Sequence, residues 1–407
     1  MQKKKVYAVS NAHLDTVWRW DLRKTIEEYL PDTLRKNFDL IERYPDYCFN
    51  FEGAFRYQLI EEYYPLAFAE IQNLVKRGNW YPAGACYENG DVNIPSPEAL
   101  FRNILLGNRY FQEKFGVQSK DIFLPDCFGF GQALPSVMKY AGLLGFTTQK
   151  LSWGSAYGVP FTLGYWQGVD GSRVLACPNA RSYRSKFSGD LRGEVSVIDD
   201  VAKNAFEGGL PYAQHLYGTG DVGGAPTEES VQSVCASAAE NGQKDFDVIS
   251  AQSDQIFKDI DALPDSDKDR LPVWNNELLM TSHGAGGYTA RAMGKRLNRQ
   301  CEVLADVAES TLSTAELLGV YTYPQETVTK AWERLIQHQF HDDLPGTSNM
   351  DIYNTGWNDY HTSLVQLQGE YTGAVGAIAN QLDTGWVTDC ALIVHNPLPF
   401  ARTESVD

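Results

Sequence analysis

Nowhere in the 407 residues does a CxxC pair occur: the seven cysteines, at 48, 86, 127, 177, 235, 301 and 390, are odd in number and far apart. That spacing argues against a disulfide scaffold and against a cysteine-ligated zinc. Basic residues are also scarce. With 35 Lys and Arg against 52 Asp and Glu, the formal net charge is −17, so nucleic acid and anionic membrane surfaces are repelled over most of the surface and no nucleic-acid partner is expected. No apolar run is long enough to span a membrane, and the N-terminal MQKKKVYAVSNAHLD holds an apolar stretch far shorter than a signal-peptide core. The chain therefore reads as cytoplasmic as written, or as periplasmic or secreted if a leader has been removed. No biased tract interrupts a composition that is 43% hydrophobic and 12% aromatic, which excludes a fibrous or disordered protein. The length suits one large domain and a smaller one. Nothing in the sequence addresses a homo-oligomer, which stays open.

What is present alternates. VYAVS (6–10) is a short apolar strand, followed by helical spacing of Ile26, Leu30, Leu34, Phe38 and Ile41 within about 17–43. The order repeats as CFNFEG with a helix over 64–76, NWYPAGACY with a helix over 97–115, and DIFLPD with a helix over 134–140. Strand then helix, repeated, predicts a mainly parallel α/β sheet covered by helices. TLGYWQGV, Asp170-Gly171 and SRVLAC carry a hairpin signal, and α/β signals continue to about residue 285. From 290 to 382 three long helical patterns predict a helical bundle. WVTDCALIVHNPLPFARTESVD then alternates as the start of a β domain. The expected domains are thus 1–287 (α/β), 288–384 (helical) and 385–407 (β).

Chemistry-bearing residues gather at strand ends. In SNAHLDTVW, His13 and Asp15 stand two apart, and an extended backbone points both to one face. The carboxyl ends of parallel strands are where α/β enzymes place their sites. Asp126 follows DIFLP and precedes Gly129 and Gly131, which permit a tight turn beside a ligand. Asp221 lies in YGTGDVGGAPTEES, a glycine-rich loop after another strand, without the Lys and Ser/Thr register of a phosphate loop. His341 and Asp342 end a helix in LIQHQFHDDLPGTSN. Two imidazoles and two carboxylates suit a borderline divalent cation such as Zn²⁺ with an open coordination position. Trp18, Trp20, Phe128 and Tyr288 stand near these segments and offer platforms for the apolar face of a sugar.

Taken in order, NAHLDTVWRW, NWYPAGACYENGDVNIPSPEAL, IFLPDCFGFGQALP, FTTQKLSWG with GYWQGVDGSRVLA, GTGDVGGAPTEES, YTARAMGKRLNRQCE, QFHDDLPGTS and VHNPLPFART resemble glycoside hydrolase family 38, the retaining α-mannosidases. The resemblance implies a domain of seven parallel strands, then a three-helix bundle, then β domains. It implies metal ligation by His13, Asp15, Asp126 and His341, with one divalent ion, Zn²⁺ by expectation. It also implies Asp126 as nucleophile and Asp221 as acid/base. On that footing Trp18 floors the sugar site, Phe128 and Tyr288 line it, and Asp91 and Asp342 take sugar hydroxyls. The expected partner is a mannose-containing oligosaccharide. Two other readings remain: a metal-dependent carbohydrate deacetylase, in which a metal-bound water attacks and Asp126 need not be a nucleophile, and a relative that binds mannose without cleaving it.

Overall fold

A computed structural model describes residues 2–405. Among these residues the strands, in chain order, are β1 (Lys4–Ala12), β2 (Phe49–Glu52), β3 (Trp80–Ala83), β4 (Asp121–Phe123), β5 (Gly129–Phe130), β6 (Gly145–Thr147), β7 (Gly164–Gln167), β8 (Arg173–Cys177), β9 (Tyr212–Thr219), β10 (Phe246–Ser250), β11 (Val273–Trp274) and β12 (Leu278–Leu279). β1 is buried on both faces from Val6 onward, the burial expected of a strand inside a parallel sheet. It pairs in parallel with β9 over Lys5–Ala12, with β10 at its start and with β2 at its end. β3 continues the sheet beyond β2, also in parallel.

The expected single parallel sheet is divided in two. The second runs β11-β7-β8-β6-β4, with only the β7–β8 pair antiparallel. That pair is the hairpin expected at Asp170-Gly171, where Gly171 takes φ 84°, a conformation open to glycine. The two sheets touch at both margins: Ala85 N–H donates to Asp121 O at 2.8 Å, and Leu216 N–H donates to Ala180 O at 2.7 Å.

The helix 97–115 forms where it was expected. Ser96 caps it by accepting from Ala99 N–H at 3.2 Å, proline follows at its first position, and Gly116 ends it at φ 74°; loss of such a cap costs about 1 kcal/mol. The first helix starts later than its apolar spacing suggests, because the Asp21 side chain accepts from Lys24 N–H and fixes the start at Leu22. This leaves 17–20 as a turn that presents Trp18.

Three long helices follow, Ala292–Leu317, Gln325–Gln337 and Met350–Ala379. Their inward faces, including Leu297, Ala308, Leu312, Trp332, Leu335, Tyr360 and Leu367, share one continuous apolar core with Val6, Leu30, Phe49 and Trp80. The start of a β domain is expected at 385–407. Through residue 405 no strand appears, and Trp386, Leu392, Val394 and Phe400 are exposed. Residues 406 and 407 lie outside the described residues. No described helix is long and apolar enough to cross a membrane.

Buried His338 ties two of these helices. Its Nδ1 meets Asp343 Oδ2 at 2.7 Å and its Nε2 meets Asp359 Oδ2 at 2.9 Å. Burial alone would lower its pKa, but the two carboxylates raise it to about 9. A pKa raised above the unfolded value stabilises fully below about 6.5 and loses that stabilisation as pH climbs through about 9. Melting temperature should therefore fall between pH 7 and pH 10, and a His338→Gln variant, already missing a contribution of order 2–3 kcal/mol, should show a flatter profile by calorimetry. Parallel profiles for the two proteins would contradict this.

Candidate active site

The carboxyl end of β1 is zipped to the end of β9. His13 N–H donates to Thr219 O at 3.0 Å, Asp15 N–H to Asp221 O at 2.8 Å, and Gly223 N–H to His13 O at 3.1 Å. The glycine-rich loop thereby lies directly against His13. At Gly220 an added Cβ would fall 2.6 Å from the Tyr183 ring and 3.1 Å from His13 Cβ, so only glycine permits this approach. His341 arrives from the helical part by a similar device: Asp91 N–H donates to Gln339 O at 2.8 Å and His341 N–H to Asn89 O at 3.2 Å. Asp126 follows β4, where Gln149 Nε2 holds Pro125 O at 3.0 Å and the β5–β12 pair closes the turn behind it.

These backbones bring His13, Asp15, Asp126 and His341 together, buried, with one donor atom from each lying within 4.8 Å of the others. The orientation of the imidazoles is fixed from behind. His13 Nδ1 meets Glu52 Oε1 at 2.8 Å, and His341 Nδ1 meets Asn89 O at 3.0 Å. Both Nε2 atoms are left facing the cluster. His341 Nε2 is buried without a hydrogen bond, lying 3.4 Å from Asp15 Oδ1 and 3.8 Å from Asp126 Oδ2. A buried orphan nitrogen beside two carboxylates, with the opposite ring nitrogen bound to an acceptor, makes a donor set that could hold a divalent cation.

The electrostatics agree. Burial would lower both imidazole pKa values, yet donation to the Asp15 and Glu52 carboxylates holds His13 well above its usual value, and the nearby negative charges of Asp15, Asp342 and Asp126 raise His341. Burial would raise Asp15, but the two histidines hold it well below the carboxylate range. The protein thus concentrates negative charge here and balances it with imidazole protons, a balance that a cation can replace. Burial, together with the charges of Asp15 and Asp126, pushes Asp342 up to about 7, against the opposing pull of His341 and a hydrogen bond from Thr347.

The second carboxylate faces the first across Tyr183. The Tyr183 hydroxyl lies 3.3 Å from Asp126 Oδ1 and 2.7 Å from Asp221 Oδ1. These contacts bound the two oxygens at about 6 Å, compatible with the roughly 5–5.5 Å of retaining glycosidases and short of the roughly 6.5–9.5 Å of inverting ones. A phenol donates one hydrogen, so it serves one carboxylate at a time. Asp126 Oδ1 also accepts from Lys150, and Asp221 Oδ2 from Arg184. The cavity between them is 300 Å³, large enough for one small ligand.

Of the residues expected from sequence, Asp15, Trp18, Asp126, Phe128, Asp221 and Asp342 line this cavity, while His13 and His341 stand beneath it. Asp91 and Tyr288 do not line it. The Asp91 carboxylate accepts from Tyr288 Oη at 2.5 Å and from the N–H groups of Asn93 and Ile94 at 3.0 and 2.7 Å, so it braces the wall behind Phe128. Sequence reasoning missed Lys150, Trp153, Tyr183 and Arg184, which line the cavity, and the supporting Glu52. Only Glu52 had a usable signal, an acid closing the buried strand FNFE.

Residues 3–277 match the glycosyl hydrolases family 38 N-terminal domain, and residues 283–378 match the alpha mannosidase middle domain. The chain is 30% identical over 402 residues to alpha-mannosidase 2C1 of Homo sapiens, covering 98% of this chain and 37% of that protein. It is 31% identical over 379 residues to alpha-mannosidase G of Dictyostelium discoideum, covering 93% of this chain and 34% of that one. The chain therefore spans little more than a third of the length of these relatives. An alpha-mannosidase from Enterococcus faecalis shares the fold with a TM-score of 0.75 at 21% identity, over 93% of this chain and 43% of that one. With most of its length matched by the N-terminal model, this chain belongs to glycosyl hydrolase family 38.

Proposed function

We propose that the chain is the catalytic part of an exo-acting α-mannosidase that removes terminal α-linked mannose from oligosaccharides by a retaining double displacement. The observation that carries this reading is the pair Asp126 and Asp221 facing one another through the Tyr183 hydroxyl, with His13, Asp15 and His341 gathered behind Asp126. Family membership and the names of the relatives support the substrate class. Residues 1–287 would form the catalytic α/β domain, 288–384 a three-helix bundle that supplies His341, and 385–407 a segment leading toward a β domain.

Asp126, held between Lys150 and Tyr183 on one oxygen, attacks C1 of the sugar and forms a mannosyl ester. Asp221, on the other side of Tyr183, gives its proton to the glycosidic oxygen and later takes one from the incoming water. Trp18 floors the sugar and Asp342 accepts from its hydroxyls. His13, Asp15, Asp126 and His341 would hold one divalent cation, Zn²⁺ by its donor set. When bound, that cation supplies Lewis-acid contact to sugar oxygens and offsets the crowded carboxylates.

The test is the hydrolysis of an aryl α-mannoside and of α-1,2-, α-1,3- and α-1,6-mannobiose by the protein that carries this chain, followed by NMR. Release of α-mannose before mutarotation is expected. First release of β-mannose, or release of acetate from an acetylated sugar without mannose release, would overturn the reading.

A further inference from the structure

Of the two basic side chains Lys150 and Arg184 that line the cavity, Lys150 is the buried one. Its side chain is 1% exposed. Among the described residues its ammonium has a single hydrogen-bond acceptor, Asp126 Oδ1, and otherwise faces two rings, with Nζ 5.2 Å from the centre of Phe128 and 5.3 Å from that of Trp153. Both ends of the pair are fixed. Lys150 opens the short 3₁₀ turn Lys150–Trp153, with its N–H on Thr148 Oγ1 at 3.2 Å, while Gln149 ties the same segment to Pro125. A buried cation with one carboxylate partner has its energy coupled to the charge on that partner.

We propose that Lys150 is a positioning residue that acts mainly in the second half of the reaction, by stabilising the Asp126 carboxylate as its charge returns. This rests on Asp126 being the nucleophile. In the first half Asp126 loses charge: its oxygen bonds C1, the glycosidic bond breaks, and the leaving oxygen keeps that electron pair and takes the Asp221 proton. Lys150 favours the ionised carboxylate over the ester, so it does not speed this step. In the second half a water oxygen bonds C1, the C1–O bond to Asp126 breaks with its electron pair returning to the carboxylate, and the water proton passes to Asp221. Here Lys150 meets charge that develops in the transition state, where a fixed buried donor has most effect.

Lys150→Met removes the charge at similar volume. With 2,4-dinitrophenyl α-mannoside, whose leaving group makes the first half fast, kcat should fall by about 10²-fold or more. KM should fall with it, leaving kcat/KM far less changed. A burst of dinitrophenolate equal to the enzyme concentration should precede the slow steady state, and intact-mass analysis should find a mannosyl adduct on Asp126. Lys150→Arg, which keeps the charge, should restore kcat in part and abolish the burst. Lys150→Gln is the second neutral variant, should methionine at this position prevent folding. Equal losses in kcat and kcat/KM for the neutral variants, without burst or adduct, would overturn the proposal. A wild-type enzyme that releases β-mannose first would instead overturn the nucleophile reading on which it stands.

Discussion

Asp126→Ala is expected to lower kcat/KM by at least about 10⁴-fold, the scale on which loss of a covalent nucleophile is felt. Three losses coincide in that one side chain: the atom proposed to bond C1, one of four donors in the candidate cation cluster, and, among the described residues, the only carboxylate partner of Lys150. The last sets the cost in stability. Stranding a buried charge costs about 3–5 kcal/mol, but removing a carboxylate also relieves repulsion with Asp15 and Asp342, both buried beside it. The two effects oppose, so the variant should still fold, with a melting temperature lower by no more than several degrees. Sodium azide should restore part of the turnover by entering the space left by the carboxylate, and the product should be β-mannosyl azide, because azide then attacks from the face that Asp126 occupied. Near-normal turnover without azide would remove Asp126 from the mechanism.

The difference between what the sequence discloses and what it conceals follows from how each residue is placed. His13 and Asp15 are legible because a strand buried on both faces reads as an apolar run, and the period of two puts residues 13 and 15 on one face at its end. Asp126 and Asp221 are legible for the same reason, as acids just beyond short apolar runs. Lys150, Tyr183 and Arg184 come from 148–187, where the chain leaves the regular alternation and no periodicity marks which side chain turns inward. Their placement depends on contacts made across the fold, such as Asn11 Nδ2 holding Tyr183 O at 3.3 Å. Asp91 illustrates the converse. The family resemblance made it a partner for sugar hydroxyls, whereas its carboxylate accepts from its own loop and from Tyr288 and does not line the cavity. The division of strands between two sheets was also beyond reach, since β4, β6 and β8 are three to five residues long and their order is set by pairing across the fold.

Exhaustive chelation is expected to remove activity and to lower the melting temperature, since a ligand present at about 1,000 times its Kd contributes about 4 kcal/mol of stability. The sign follows from the charge balance at the cluster. Asp15, Asp126 and Asp342 are buried together, and without a cation the imidazoles of His13 and His341 must carry the compensating protons, in an environment whose burial opposes them. Glu52 separates this account from a merely acidic cavity. It does not line the cavity, and its visible work is to hold His13 Nδ1. Glu52→Gln should therefore weaken metal binding by about 10–100-fold, as loss of an outer carboxylate does, while leaving kcat close to normal once Zn²⁺ is in excess. Titration of the chelated protein with Zn²⁺, followed by melting temperature as well as by turnover, measures both effects on one sample. Full activity at a metal content near zero would remove the cation from the scheme. A Glu52→Gln protein with unchanged affinity would show that His13 is oriented by the strand alone.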